Sequence, residues 1–322
     1  MSFLNKVLGR DTKPIMPNAS QLFNYKNRFA MMGTVGSGKS TVTAGLVLTA
    51  QTLSSDLPDF YCRVIESNSE ILQDASNLRR GRFPAKTEAY ERYPVESGLL
   101  LIWRNWRGER KVQIPICDIA GEDVQQMIKQ SRLRLGGEQF NANQQLLRYV
   151  KDADGFLLCV PASRALMFLD DEQLEHEESV DEGKVGDPDV PLSRILNDII
   201  NFKSQSKGKP INAIGVIITK WDLLSPYAVR AGMDLYDPTG EGLQNFMKTC
   251  FPATSMHLKP YVDKDKVKFF PSHFNVQHHE DGKVKKWGDT GDRIDVIQER
   301  RVPRYSEQSY VDLFKWLRSF AS

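Results

Sequence analysis

Residues 33–40 read Gly33-Thr34-Val35-Gly36-Ser37-Gly38-Lys39-Ser40, which fits G-x-x-x-x-G-K-[ST] at every fixed position. Gly36 and Gly38 permit backbone geometries that other residues resist, so successive N–H groups can converge on phosphate oxygens. An apolar run, Phe29 to Met32, precedes the octet and suits a buried strand. Thr41 to Leu53 follows and reads as a helix. A helix there adds its positive N-terminal end. Lys39 supplies a point charge for the outer phosphates, and the Ser40 hydroxyl can ligate Mg2+. The candidate phosphate contacts are Gly33, Val35, Gly36, Ser37, Gly38, Lys39, Ser40 and Thr41.

Working outward, residues 68–81 read as a second helix. Leu99–Trp106 and Lys111–Asp118 read as strands joined at Arg107-Gly108-Glu109. So short a connection makes them an antiparallel hairpin, although Pro115 cannot donate to a ladder and prefers edges. Helix is expected over about 138–152 and 192–206, and strand over Gly155–Val160, Ile211–Thr219 and Val267–Phe270. Ser306 can N-cap a closing helix in which Tyr310, Leu313, Phe314, Leu317 and Phe320 recur at helical spacing, a core or docking stripe. Strands alternating with helices predict a doubly wound, mostly parallel α/β sheet with one hairpin strand running against the rest. Ligands of such sheets sit at the carboxyl ends of the strands. Residues 1–26 read as a flexible leader. Residues 27–322 form one domain, with an acidic, solvated insertion at about 168–190 and a C-terminal extension at about 277–322.

Two further motifs end strands. Asp118-Ile119-Ala120-Gly121 closes the hairpin. A carboxylate at that tip can hold Mg2+ through water, and the Gly121 N–H can reach a terminal phosphate. Thr219-Lys220-Trp221-Asp222 follows the clearest strand. A carboxylate at Asp222 can accept from N1–H and the 2-amino group of guanine, a match adenine lacks, while the Lys220 stem lies over the base.

These three motifs in this order, with the hairpin between the first two, resemble the Ras-like and translation-factor class of P-loop GTPases. Leu78–Thr87 (LRRGRFPAKT), the D-I-A-G-E form and the aromatic closing helix resemble, more narrowly, the prokaryotic double-GTPase-like proteins. The resemblance implies a first-switch threonine on Mg2+ and the terminal phosphate. Thr87 lies where that residue belongs. It also implies a last guanine-contacting loop after the final strand, for which Ser272 is the candidate. Glu122 stands where small GTPases usually carry a water-orienting glutamine, so slow intrinsic hydrolysis is expected. Lys39, Thr87, Gly121 and Glu122 are the candidate catalytic residues, and Ser40, Thr87 and Asp118 the candidate metal ligands. Arg79, Arg80 and Arg82 precede Thr87, where one could act as an arginine finger in cis.

The composition excludes several other classes. Lys plus Arg total 43 and Asp plus Glu 41, for a net charge of +2, which argues against a nucleic-acid binder. The longest apolar runs fall far short of the ~18 residues of a membrane span. The four cysteines form neither a disulfide framework nor zinc spacing, and the N-terminus lacks an apolar signal core, so a cytoplasmic setting is expected. The expectation is a GTPase that binds GTP or GDP with Mg2+ and acts as a molecular switch for a protein effector or activator. A nucleotide-dependent homodimer is compatible with it. The alternatives are a nonhydrolysing nucleotide-bound scaffold and a P-loop ATPase.

Overall fold

The structure is a computed structural model that describes residues 27–34, 36–57, 59–65, 70–80, 84, 97–116, 149–162, 164, 187–205, 209–220, 240–272, 275–276, 303–304 and 308–321. The elements in chain order are β1 (Phe29–Met32), α1 (Lys39–Asp56), β2 (Phe60–Ile65), α2 (Glu70–Arg79), β3 (Ser97–Asn105) and β4 (Gly108–Ile116). There follow β5 (Gly155–Pro161), α3 (Asp189–Gln205), β6 (Ala213–Thr219), α4 (Gly240–Cys250), α5 (Pro252–Val262) and β7 (Val267–Pro271). Two short strands, β8 (Asn275–Val276) and β9 (Pro303–Arg304), and the helix α6 (Gln308–Arg318) complete them.

Four strands pair in the order β1-β5-β6-β7, all parallel. β1, β5 and β6 are apolar runs, as expected of strands covered on both faces, while β7 at the edge exposes Lys268. Every residue of β5 and β6 is buried. Alternate side chains serve opposite faces. Phe156, Leu158, Val160, Ile214, Val216 and Ile218 join α3, α4 and α5 in one core. Leu157, Cys159 and Ile217 join α1 and α6 in the other.

The remaining strands pair antiparallel in the order β2-β3-β4. This sheet meets β1 along a narrow seam, where Arg28 and Gln113 form a parallel bridge and the Gln113 N–H donates to Asn27 O at 3.1 Å. Pro115 brings no N–H to the seam, and the buried Tyr149 hydroxyl fills in. It accepts from the Met31 N–H at 2.8 Å and lies 2.9 Å from Pro115 O. Because β4 parallels β1, β3 alone of β1–β7 runs against the others, as the sequence predicts.

β2 is an addition to the expected strands. Its signal is a period-2 pattern in which Phe60, Cys62 and Val64 alternate with Tyr61 and Arg63. α4 and α5 are also additions. Leu243, Phe246, Met247 and Cys250 recur at helical spacing, and Pro252 opens α5 where a missing N–H costs nothing. The helix read over 138–152 is described only at its last residues, Tyr149–Lys151, which are helical. The leader lies outside the described residues. So do 165–186, most of the acidic stretch, but its end is not a solvated loop. Asp189 opens α3 and is 2% exposed. The stripe on α6 is core: Tyr310, Leu313, Phe314 and Leu317 are all buried. No helix among the described residues is long and apolar enough to cross a membrane.

Candidate functional site

β1 delivers the chain into the glycine-rich loop, and α1 carries it away. Gly36 and Gly38 have φ of 74° and 81°, the left-handed region that side chains resist. The loop also packs too tightly for larger residues. A Cβ on Gly33 would collide with Ser37 Oγ and come within 2.9 Å of Cys159 O. The Ser37 N–H donates to Thr34 O at 3.2 Å and closes the turn. Lys39 Nζ, half-buried, donates to Gly33 O at 3.0 Å and Thr34 O at 2.9 Å. The ammonium is thus folded over its own loop. Ser40 and Thr41, also half-buried, fill the first turn of α1.

Two buried hydroxyls here have no hydrogen-bond partner among the described residues, Thr34 Oγ1 and Ser37 Oγ. Buried polar groups are ordinarily paired, so each of these orphans needs a reason. A left-handed glycine cradle, uncapped helix N–H groups and a mobile-stemmed cation fit a bound phosphate chain. Beneath the loop, burial pushes the Cys159 thiol up to about 12, so it stays neutral. The sequence marks Ser37 as a candidate contact but not Thr34, and nothing in G-x-x-x-x-G-K-S distinguishes the two hydroxyls.

β6 brings the third motif to the first. Thr219 is 3% exposed, and its hydroxyl donates to Ser37 O at 2.7 Å across 182 residues of sequence. A Cβ on Gly38 would lie 3.3 Å from Thr219 Cβ, so a side chain at 38 would press on the clip as well as strain the backbone. Lys220 takes φ 56°, uncommon for a residue with a side chain. Ser272 ends β7 beside them. Its N–H donates to Ile218 O at 2.7 Å, and its Oγ lies 2.7 Å from Tyr310 Oη. The Ser272 side chain is therefore turned into the core.

The structure thus gathers Gly33, Gly36, Ser37, Gly38, Lys39, Ser40, Thr41, Thr219, Lys220 and Ser272 at the carboxyl ends of β1, β6 and β7. Val35, Thr87, Asp118, Gly121, Glu122 and Asp222 lie outside the described residues. β4 parallels β1, so its last residue, Ile116, leaves the sheet at this same edge, two residues before Asp118. No group of three His, Cys, Asp or Glu side chains suited to a metal occurs among the described residues. Arg79 does not serve as a finger in this arrangement. Its guanidinium donates to Gln51 Oε1 at 2.7 Å, twelve residues and about 18 Å along α1 from Lys39. Arg82 lies outside the described residues.

A second polar cluster, unread in the sequence, lies where α3 and α5 begin. Arg164 forks onto Asp187, with Nη2 donating to Oδ2 at 2.8 Å, and this pairing holds the Asp187 carboxyl below its ordinary value. Asp189 accepts from the Ala253 N–H at 3.0 Å, the Thr254 N–H at 2.9 Å and the Thr254 hydroxyl at 2.7 Å.

No curated protein matches the chain. The family model described as Double-GTPase 1 matches residues 30–230, a span that runs from β1 past Asp222 and holds all three motifs. It stops short of β7, Ser272 and α6. A match over more than half the chain, on the architecture just described, makes this protein a member of the Double-GTPase 1 family of P-loop GTPases.

Proposed function

We propose that the protein binds guanine nucleotide with Mg2+, hydrolyses GTP slowly and reports its nucleotide state to a protein partner. The observation that carries this reading is the Thr219–Ser37 hydrogen bond, which ties the phosphate loop to the strand bearing T-K-W-D. A nucleotide laid across that clip has its phosphates on one side and its base on the other.

In this reading Lys39 leaves the loop carbonyls for the outer phosphates, and the loop N–H groups hold the rest. Asp222 takes the guanine edge, and Lys220 lies over the base. Ser40, Thr87 and Asp118 are the groups that would hold Mg2+, which neutralises charge on the phosphates when bound. Water adds to the γ-phosphorus as its bond to the bridging oxygen breaks, releasing GDP, phosphate and a proton. The protein's work is positioning and charge stabilisation. The Gly121 N–H meets the γ-phosphate, and Glu122 stands nearest the water. The segments around Thr87 and Glu122 order on the γ-phosphate and relax after its loss, which is the signal to a partner.

The test is to identify the nucleotide retained by purified protein, with and without Mg2+, and then to follow a single turnover of GTP. The expected rate is on the order of 10⁻⁴ to 10⁻² s⁻¹, that of an unassisted GTPase. Glu122→Gln should match or exceed it, because the amide still orients water without repelling phosphate. Glu122→Ala should fall below it. A chain that retains GTP unhydrolysed is a scaffold, and one that retains ATP is an ATPase.

A further inference from the structure

Tyr310 links the helix that leaves the phosphate loop to the end of β7. It is 1% exposed at the start of α6. Its ring lies against Gly45, where a Cβ would stand 2.5 Å from Cε2 and 2.8 Å from Oη. Gly45 is in α1, six residues past Lys39, in the helix that rises from the phosphate loop. The Tyr310 hydroxyl meets Ser272 Oγ at 2.7 Å, at the end of β7. Ser272 is bonded in turn to Ile218 O, and the next residue, Thr219, holds Ser37 O. One side chain therefore packs on the phosphate-side helix and bonds to the strand end on the base side.

The two contacts differ in kind. The ring against Gly45 is apolar packing. The hydroxyl pair is polar, buried and 38 residues apart in sequence. A Phe opposite an Ala would fill similar space with no polar group to desolvate, so the pair adds little net stability. What it adds is a fixed position.

We propose that Tyr310 is a positioning residue for the base end of the nucleotide site. Its hydroxyl holds Ser272, and with it the carboxyl end of β7, at a set place relative to the phosphate loop. The proposal rests on the nucleotide reading above, in which Asp222 takes the guanine edge, together with Ser272 as the start of the last base-contacting loop.

Tyr310→Phe keeps the ring on Gly45 and removes only the hydroxyl. In the full chain, displacement of a fluorescent GDP is measured with GDP and with pyrophosphate, which needs only the phosphate loop. GDP affinity should fall about 5- to 10-fold in the variant, while pyrophosphate affinity stays within about twofold. Ser272→Ala should show the same split, and the double variant should be no worse than either single one, because the two hydroxyls act as a unit. Equal losses for GDP and pyrophosphate would make Tyr310 a prop for the whole loop and overturn the proposal. Unchanged GDP affinity in both single variants would overturn it too. Wild-type binding is read first in the same assay. A wild type that binds no nucleotide overturns the functional reading and this inference together. A wild type that binds GDP, with variants showing no split, overturns the inference alone.

Discussion

Two helices of this protein begin in the same chemical situation and are finished differently. α1 and α5 both begin with first-turn N–H groups beyond the reach of helix carbonyls and with a positive dipole end. Neither N-cap helps, since Gly38 has no side chain and Phe251 offers no polar atom. At α5 the chain supplies an anion of its own, and Asp189 accepts from two N–H groups and a hydroxyl. At α1 the chain supplies glycines in left-handed geometry, two orphaned hydroxyls and a lysine parked on carbonyls. The first arrangement is complete without a ligand. The second has no carboxylate of the chain on it among the described residues, and on the proposed reading an anionic ligand takes that place. The difference separates a structural helix end from a binding one, although neither glycine content nor charge would do so alone.

The comparison breaks most readily at Lys39. Lys39→Ala should weaken both GDP and GTP by about 100-fold or more, the loss of charge-assisted contacts worth about 3 kcal/mol. Its melting temperature without nucleotide should stay close to wild type, because the ammonium rests on carbonyls of its own loop. Asp189→Ala should do the reverse. It strands two N–H groups and the buried Thr254 hydroxyl, so chemical denaturation should show a loss of about 2–3 kcal/mol. Nucleotide affinity measured below the melting transition should stay close to wild type. Affinity loss without stability loss at Asp189 would erase the distinction.

Thr219→Val sharpens the picture at the clip. It keeps the volume and leaves Ser37 O without its donor, so guanine nucleotides should bind about 5- to 10-fold more weakly by calorimetry. A helix end of opposite sign lies at the far edge of the sheet. There Lys203 Nζ donates to Lys151 O at 2.9 Å and Ala153 O at 2.6 Å, and burial lowers its pKa from 10.5 to about 8. The unfolded chain holds this proton more tightly between those values. Stability relative to Lys203→Met should therefore be flat below pH 8 and rise from pH 8 to 10.5. The rise should be up to about 3 kcal/mol in denaturation curves. A difference that falls over that window would refute the burial argument.

What could be read in advance follows from range. β1, β5 and β6 are buried on both faces, so each is a nearly continuous apolar run with no competing period. The phosphate loop is a local pattern of glycines whose geometry the glycines themselves permit. β2 shows mixed burial, so its alternation is faint against its neighbours. Asp189 sits at the end of an acidic run, and composition reads such runs as solvated. Its burial depends on α5, which begins some sixty residues later. The inward turn of Ser272 is equally a tertiary fact, set by Tyr310 on the last helix.

On the proposed reading, the uncapped end of α1 and the T-K-W-D strand form one guanine-nucleotide site. The most direct measurement is competition of Mg2+-GTP and Mg2+-ATP against a fluorescent GDP on the wild-type chain, repeated on Asp222→Asn. GTP should outcompete ATP by about 100-fold or more, as two hydrogen bonds to a carboxylate require. Asp222→Asn should weaken GTP and favour xanthosine triphosphate, whose 2-oxo group accepts from the new amide. ATP competing as well as GTP for the wild type would contradict the account.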